Sequence, residues 1–176
     1  LALDNDVFVM ARTLHRNVER IESLVDKVMK ESEHVESDSG IKLECRGFDL
    51  WPLVEALARD LDPVAQAAGT VLINRVPEDL ALWADASLVR RILQNLIANA
   101  IQNAPRGEVV TEAAPLADGS VECRVSDNGS GIPPDRIATL FDKFETDREG
   151  DGGTGLGLSI VKAFAEAHGG TVTVES

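Results

Sequence analysis

Two glycine clusters set the tightest limits on this chain: Asp127-Asn128-Gly129-Ser130-Gly131-Ile132 and, about twenty residues on, Gly152-Gly153-Thr154-Gly155-Leu156-Gly157-Leu158-Ser159. Glycine lacks a Cβ, so such runs can turn with positive φ and let backbone approach a flat partner closely. The span between them, Glu145 to Gly153, is charged and glycine-rich with no apolar anchor. That composition suits a loop that closes over a pocket walled by backbone. Asp127 leads into a turn, where its carboxylate can accept a hydrogen bond from an exocyclic amine of the kind adenine carries and guanine lacks. The second cluster opens a helix-like run, so the free N–H groups of Gly153, Thr154, Gly155, Leu156, Gly157 and Leu158 suit a polyphosphate. No Gly-Lys-Ser/Thr follows, and Leu158 occupies the last glycine position of a GxGxxG pattern, so P-loop and Rossmann readings drop out. A purine pocket of another kind remains.

The metal chemistry points to the run before the first cluster. Asn95 and Asn99 are four apart, so on a helix they share one face, one turn above the other. Carboxamide oxygens are hard neutral donors that can hold Mg²⁺ without adding negative charge beside a triphosphate. As an amide, Asn95 has no useful basicity of its own.

From Val7 the apolar residues Val7, Ala11, Leu14, Val18, Ile21, Val25 and Val28 alternate by four and three, which predicts a bundle helix seeking a partner helix. Glu31 to Gly40 is acidic and serine-rich, a seam separating a partial bundle region (1–40) from a second domain (41–176). Beyond it an α/β pattern is predicted. Asp49 caps a helix through Trp51-Pro52 with Leu53, Val54, Leu57, Ala58, Leu61 and Val64 facing a core. Strands follow at about Thr70 to Val76 and Leu80 to Trp83, then an apolar helix begins after Asp85 and ends near Pro105 to Gly107. A hairpin spans Glu108 to Ala114 and Ser120 to Ser126. A short helix runs from Pro133-Pro134 to Phe141, a longer one from Leu156 to His168, and a last strand starts at Gly170. The helices are expected on one face of a mixed, mostly antiparallel sheet. A net charge of −13 argues against nucleic-acid binding. Two cysteines without CxxC spacing suggest reduced thiols in the cytoplasm, and no signal peptide or apolar span is visible.

Four ordered segments carry a resemblance. Leu93-Gln94-Asn95-Leu96-Ile97-Ala98-Asn99-Ala100 resembles the N box of sensor histidine kinases, and Asp127-Asn128-Gly129-Ser130-Gly131-Ile132 their G1 box. Leu140-Phe141-Asp142-Lys143-Phe144 is similar to the F box, and Gly153-Thr154-Gly155-Leu156-Gly157-Leu158-Ser159-Ile160-Val161 to the G2 box. The resemblance implies the Bergerat ATP-binding fold, a two-layer α/β sandwich shared with gyrase and MutL. It implies adenine on Asp127, Mg²⁺ on Asn95 and Asn99, and phosphates at the G2 glycines. The implied ATP site also takes in Gln102, Gly129, Gly131, Ile132, Lys143 and Phe144, with Asn95 and Lys143 closest to the transfer chemistry. The implied activity is phosphorylation of a histidine on a bundle helix, for onward transfer to the receiver domain of a response regulator. Homodimerisation would run through that bundle.

The phosphoacceptor is expected before Leu1, because Val7 to Lys30 runs almost directly into the ATP-binding part and resembles the second bundle helix. His15 is followed by Arg16 where an acid is expected, and neither His34 nor His168 is placed for catalysis. Gln102 and Asn103 stand where the family has a basic and an aromatic residue, and Thr146 where an arginine is common. Lys143 can supply compensating charge. These departures motivate an alternative: a degenerate kinase module that binds nucleotide weakly or not at all and serves as a dimeric interaction scaffold. A stand-alone hydrolysing ATPase is disfavoured by Asn95. The resemblance also places a closing turn and strand beyond Ser176, so a fragment is expected, with any membrane anchor of the parent protein left open.

Overall fold

The apolar stripe Leu50, Val54, Leu57, Leu61 and Ala65 makes helix α1 (Leu50–Ala68) amphipathic, and all five side chains are buried. Strand β1 (Arg46–Asp49) precedes it, in a computed structural model that describes residues 41–137, 139–141 and 157–176. The predicted bundle helix with His15 and the acidic seam with His34 lie outside the described residues, and residues 42–176 form one compact unit. Two details of α1 differ from expectation. Val64 is 52% exposed, since the stripe passes one step round the helix to Ala65. Asp49 holds the N-cap position in an extended conformation, yet its side chain makes no capping bond. The Leu50 N–H instead donates to Leu80 O at 3.0 Å, so the chain leading into the neighbouring strand satisfies the first helical donor.

Strands β2 (Val71–Asn74) and β3 (Ala81–Ala84) follow, then helix α2 (Ala86–Asn103), strands β4 (Glu108–Pro115) and β5 (Val121–Asp127), helix α3 (Pro134–Ile137) and helix α4 (Gly157–Ala167). β1 and β3 form an antiparallel pair, while β2, β4 and β5 form a second sheet in which β2 is parallel and β5 antiparallel to β4. The result is a mixed, mostly antiparallel arrangement packed against helices, as expected. Leu93, Ile97, Ala100 and Ile101 of α2 meet the α1 stripe and Val109 and Ala113 of β4 in one buried cluster. The β4–β5 hairpin turns at Gly119 (φ +87), with the Asp118 carboxylate accepting from both the amide and the hydroxyl of Ser120.

The last predicted strand is absent as such: the segment after Gly170 has no ladder partner among the described residues. Val172 and Val174 are half-buried between exposed neighbours, so the alternation that suggested a strand is real while the hydrogen-bonded pairing that defines one is not there. The short helix before Phe141 is a single turn, Pro134–Ile137. Cys45 and Cys123 are free and exposed. No helix among the described residues is long and apolar enough to cross a membrane.

Candidate functional site

Helix α2 is the spine of the site, and its start is fixed by Asp85. The Asp85 carboxylate accepts from Ser87 N (2.9 Å), Ser87 Oγ (2.7 Å) and Leu88 N (3.3 Å) through Oδ1, and from Glu44 N (3.0 Å) through Oδ2. Burial opposes its ionisation, but the hydrogen bonds from Ser87, Glu44 and Leu88 outweigh it and hold the pKa at about 2. Along the helix that follows, Asn95, Asn99 and Asn103 recur every four residues on one face. Asn95 and Asn103 are eight residues apart, or roughly 12 Å along the axis.

One end of this face meets the second glycine cluster. Asn95 Nδ2 donates to Arg91 O at 2.9 Å, so the amide is oriented with its oxygen outward, and a Cβ at Gly157 would lie 3.1 Å from that Oδ1. Gly157 therefore keeps a hard oxygen donor open beside the N-terminus of α4, and Asn99 lies half-buried one turn on. A magnesium ion fits this donor set, since both side chains can offer neutral oxygens. Replacing Gly157 with alanine crowds this Oδ1 and is expected to weaken about tenfold any Mg-nucleotide binding that uses it. The fold itself should hold or gain up to about 1 kcal/mol, because alanine is the better helix former. Calorimetric titration with Mg-AMPPNP beside a thermal melt checks both halves.

The other end meets the first cluster. A Cβ at Gly129 would fall 2.2 Å from Asn103 O and 2.8 Å from Asp127 Oδ1, so this backbone runs directly over the end of α2. Asp127 Oδ1 accepts from Gly129 N at 2.9 Å, which orients the exposed carboxylate while a second oxygen remains to meet a ligand amine. Gly131 takes the positive φ (+73) that the sequence called for, and Ile132 N donates to Ser176 Oγ at 2.6 Å. The first cluster thus divides its labour: Gly129 is needed for close approach and Gly131 for chain direction.

The structure brings Asn95 to Gly157, and Asp127 to Gly129 and Asn103, at the two ends of one helix face. Gln102 is exposed on the last turn of α2, and Leu158 is half-buried at the start of α4. Lys143, Phe144, Gly153, Thr154, Gly155 and Leu156 lie outside the described residues, as does Thr146. Sequence reasoning passed over Asn128 and Gly107. Asn128 Oδ1 accepts from Glu108 N at 2.8 Å, and a Cβ at Gly107 would lie 2.2 Å from that oxygen, so Asn128 ties the start of β4 to the Asp127 turn. The signal was available in Asp-Asn-Gly, where an asparagine side chain commonly bonds backbone N–H groups. His168 is not idle either: its Nε2 accepts from Asp85 N at 3.1 Å.

Comparison with known proteins matches residues 84–176 to the family described as histidine kinase-, DNA gyrase B-, and HSP90-like ATPase. Histidine protein kinase DivJ of Caulobacter vibrioides is 36% identical over 160 residues, covering 89% of this chain and 26% of DivJ. Full-length ShkA, solved in complex with AMPPNP, superposes with a TM-score of 0.71 at 31% identity, over 84% of this chain and 31% of that one. The catalytic domain of histidine kinase ThkA gives 0.63 at 26% identity, over 70% of this chain and 80% of that one. The chain spans 26 to 44% of the length of the first curated relatives it matches.

Proposed function

The chain belongs to the histidine kinase-, DNA gyrase B-, and HSP90-like ATPase family, and from that footing we propose that it is the ATP-binding catalytic region of a two-component sensor histidine kinase. The observation that carries the reading is the pair of glycine contacts at Asn95 and at the end of α2, roughly 12 Å apart along the helix, a span suited to an extended nucleotide. Adenine sits at the Asp127 end, where the Gly129 backbone closes over Asn103. The phosphates sit at the Asn95 end, against the backbone N–H groups of the second glycine cluster.

Mg²⁺ would be held by Asn95 and Asn99 and would neutralise phosphate charge there. Asn95 faces the phosphate end as an amide whose Nδ2 is committed to Arg91 O, so it supplies an oxygen donor and no general base. ATP is therefore held for a nucleophile from elsewhere, an imidazole on a bundle helix of the parent protein, with passage onward to the aspartate of a receiver domain. Lys143 supplies cationic charge to the phosphates in place of the neutral Gln102. The parent protein acts as a homodimer, with this region in the cytoplasm.

The full-length protein incubated with Mg-ATP should acquire an acid-labile, base-stable phosphohistidine. Asn99→Ala should lower its rate of formation by about 10- to 100-fold, the scale on which a lost metal-site contact acts. Weak or absent nucleotide binding together with no phosphohistidine would favour the scaffold reading that Gln102, Asn103 and Thr146 suggest, and steady hydrolysis by the isolated chain would favour an ATPase.

A further inference from the structure

Helices α2 and α4 pack in opposite directions, and three contacts run in order along them. Asp85 meets His168, the Arg91 guanidinium lies 5.2 Å from the centre of the Phe164 ring, and Asn95 faces Gly157. The third of these is the phosphate end of the nucleotide site. The first is its mechanical counterpart at the far end of α4.

His168 has its two nitrogens assigned by chemistry. Nδ1 lies 2.7 Å from Phe164 O, an acceptor only, so Nδ1 carries the proton. Nε2 lies 3.1 Å from Asp85 N, a donor, so it is bare. The half-buried ring is thus a neutral imidazole that joins two helices through one bond on each side. The α4 end is rigid where the ring leaves it. Gly169 (φ +74) donates to Glu166 O and Gly170 to Ala165 O, the paired bonds of a Schellman cap. Asp85 is equally fixed, since four donors converge on its carboxylate.

We infer that His168 is a positioning residue for the nucleotide site, setting how far α4 slides along α2 and hence where Gly157 stands against Asn95. The inference rests on the nucleotide-binding reading above. An α4 displaced along its axis carries Gly157 and the phosphate-binding N–H groups away from Asn95 Oδ1. Removing the pin therefore lowers the fraction of molecules with a competent site and raises the apparent Kd in inverse proportion to that fraction.

The test separates the two bonds of the ring. Gln at 168 can place an amide oxygen where Nε2 stands and keep the bond to Asp85 N, whereas Asn is too short to cross and can replace only the local bond to Phe164 O. Titration of the whole chain with Mg-AMPPNP should leave His168→Gln within about twofold of wild type and raise the Kd of His168→Asn and His168→Ala about tenfold, the scale of one lost hydrogen bond. Asn and Gln variants that both bind like wild type overturn the inference, as does the reverse order, which would mark His168 as a local helix cap. Thermal melts identify any variant whose loss is one of folding; should Asn and Ala unfold, a weakened Gln variant alone overturns it. A wild-type chain that binds no nucleotide overturns both the inference and the functional reading, so the two failures are distinct.

Discussion

Alanine at Gly129 is expected to abolish measurable nucleotide binding and to destabilise the fold by about 3 kcal/mol. The added methyl would sit 2.2 Å from Asn103 O, 2.7 Å from its carbonyl carbon and 2.8 Å from Asp127 Oδ1. The first two of these are backbone atoms at the end of α2 and have no rotamer to escape into. Either the last turn of α2 moves or the Asp127 turn lifts off it, and both outcomes displace the carboxylate proposed to receive the adenine amine. A loss of more than a hundredfold in Mg-AMPPNP affinity, with a lowered melting temperature, is the expected result. By contrast Gly131, with φ +73, would be strained by any side chain in its backbone conformation rather than in its surroundings alone.

Asp85→Ala should produce the largest loss of stability without touching the ligand, about 3 kcal/mol, which corresponds to a melting temperature lower by roughly 10 °C. The substitution removes the N-cap of α2 and leaves Glu44 N without its acceptor in a site where Asp85 is 7% exposed. The same group predicts an acid limb. Its folded pKa is about 2 against an ordinary value of 3.8, so its contribution of about 2 kcal/mol is complete above the ordinary value and is lost as pH falls through about 2. Wild-type stability should therefore fall between about pH 4 and pH 2 by more than that of Asp85→Ala. Denaturation at pH 7 and pH 3 compares the two directly; parallel acid limbs would remove Asp85 as the cause.

Much of this architecture was legible because periodicity and turn chemistry act locally. The stripe on α1, the capped start of α2, and the hairpin around Gly119 each follow from residues within a few positions of one another. The site's two ends were legible as glycine clusters, and Asn95 and Asn99 as a helix face. What escaped depends on partners distant in sequence. That Gly129 rests on Asn103, that Asn128 ties down Glu108, and that Ser176 holds Ile132 N are contacts no local window contains. Asp49 shows the same limit from the other side: its position is that of a cap, but Leu80 supplies the acceptor. The segment after Gly170 has a strand's alternation without a strand's partner, because a ladder is a property of two segments.

The central claim is a nucleotide site with its adenine end on Asp127, and isothermal titration of wild type and Asp127→Asn with Mg-AMPPNP tests it most directly. In the wild type Oδ1 is held on Gly129 N, leaving an acceptor for the adenine amine. In the variant the same turn would keep the amide oxygen and present an amino group, donor against donor, at the cost of a charge-assisted bond. The account predicts binding by the wild type, a loss of about a hundredfold in the variant, and no comparable affinity for the guanine analogue Mg-GMPPNP. Equal affinities of the two proteins for Mg-AMPPNP, or equal binding of the adenine and guanine analogues, would contradict it.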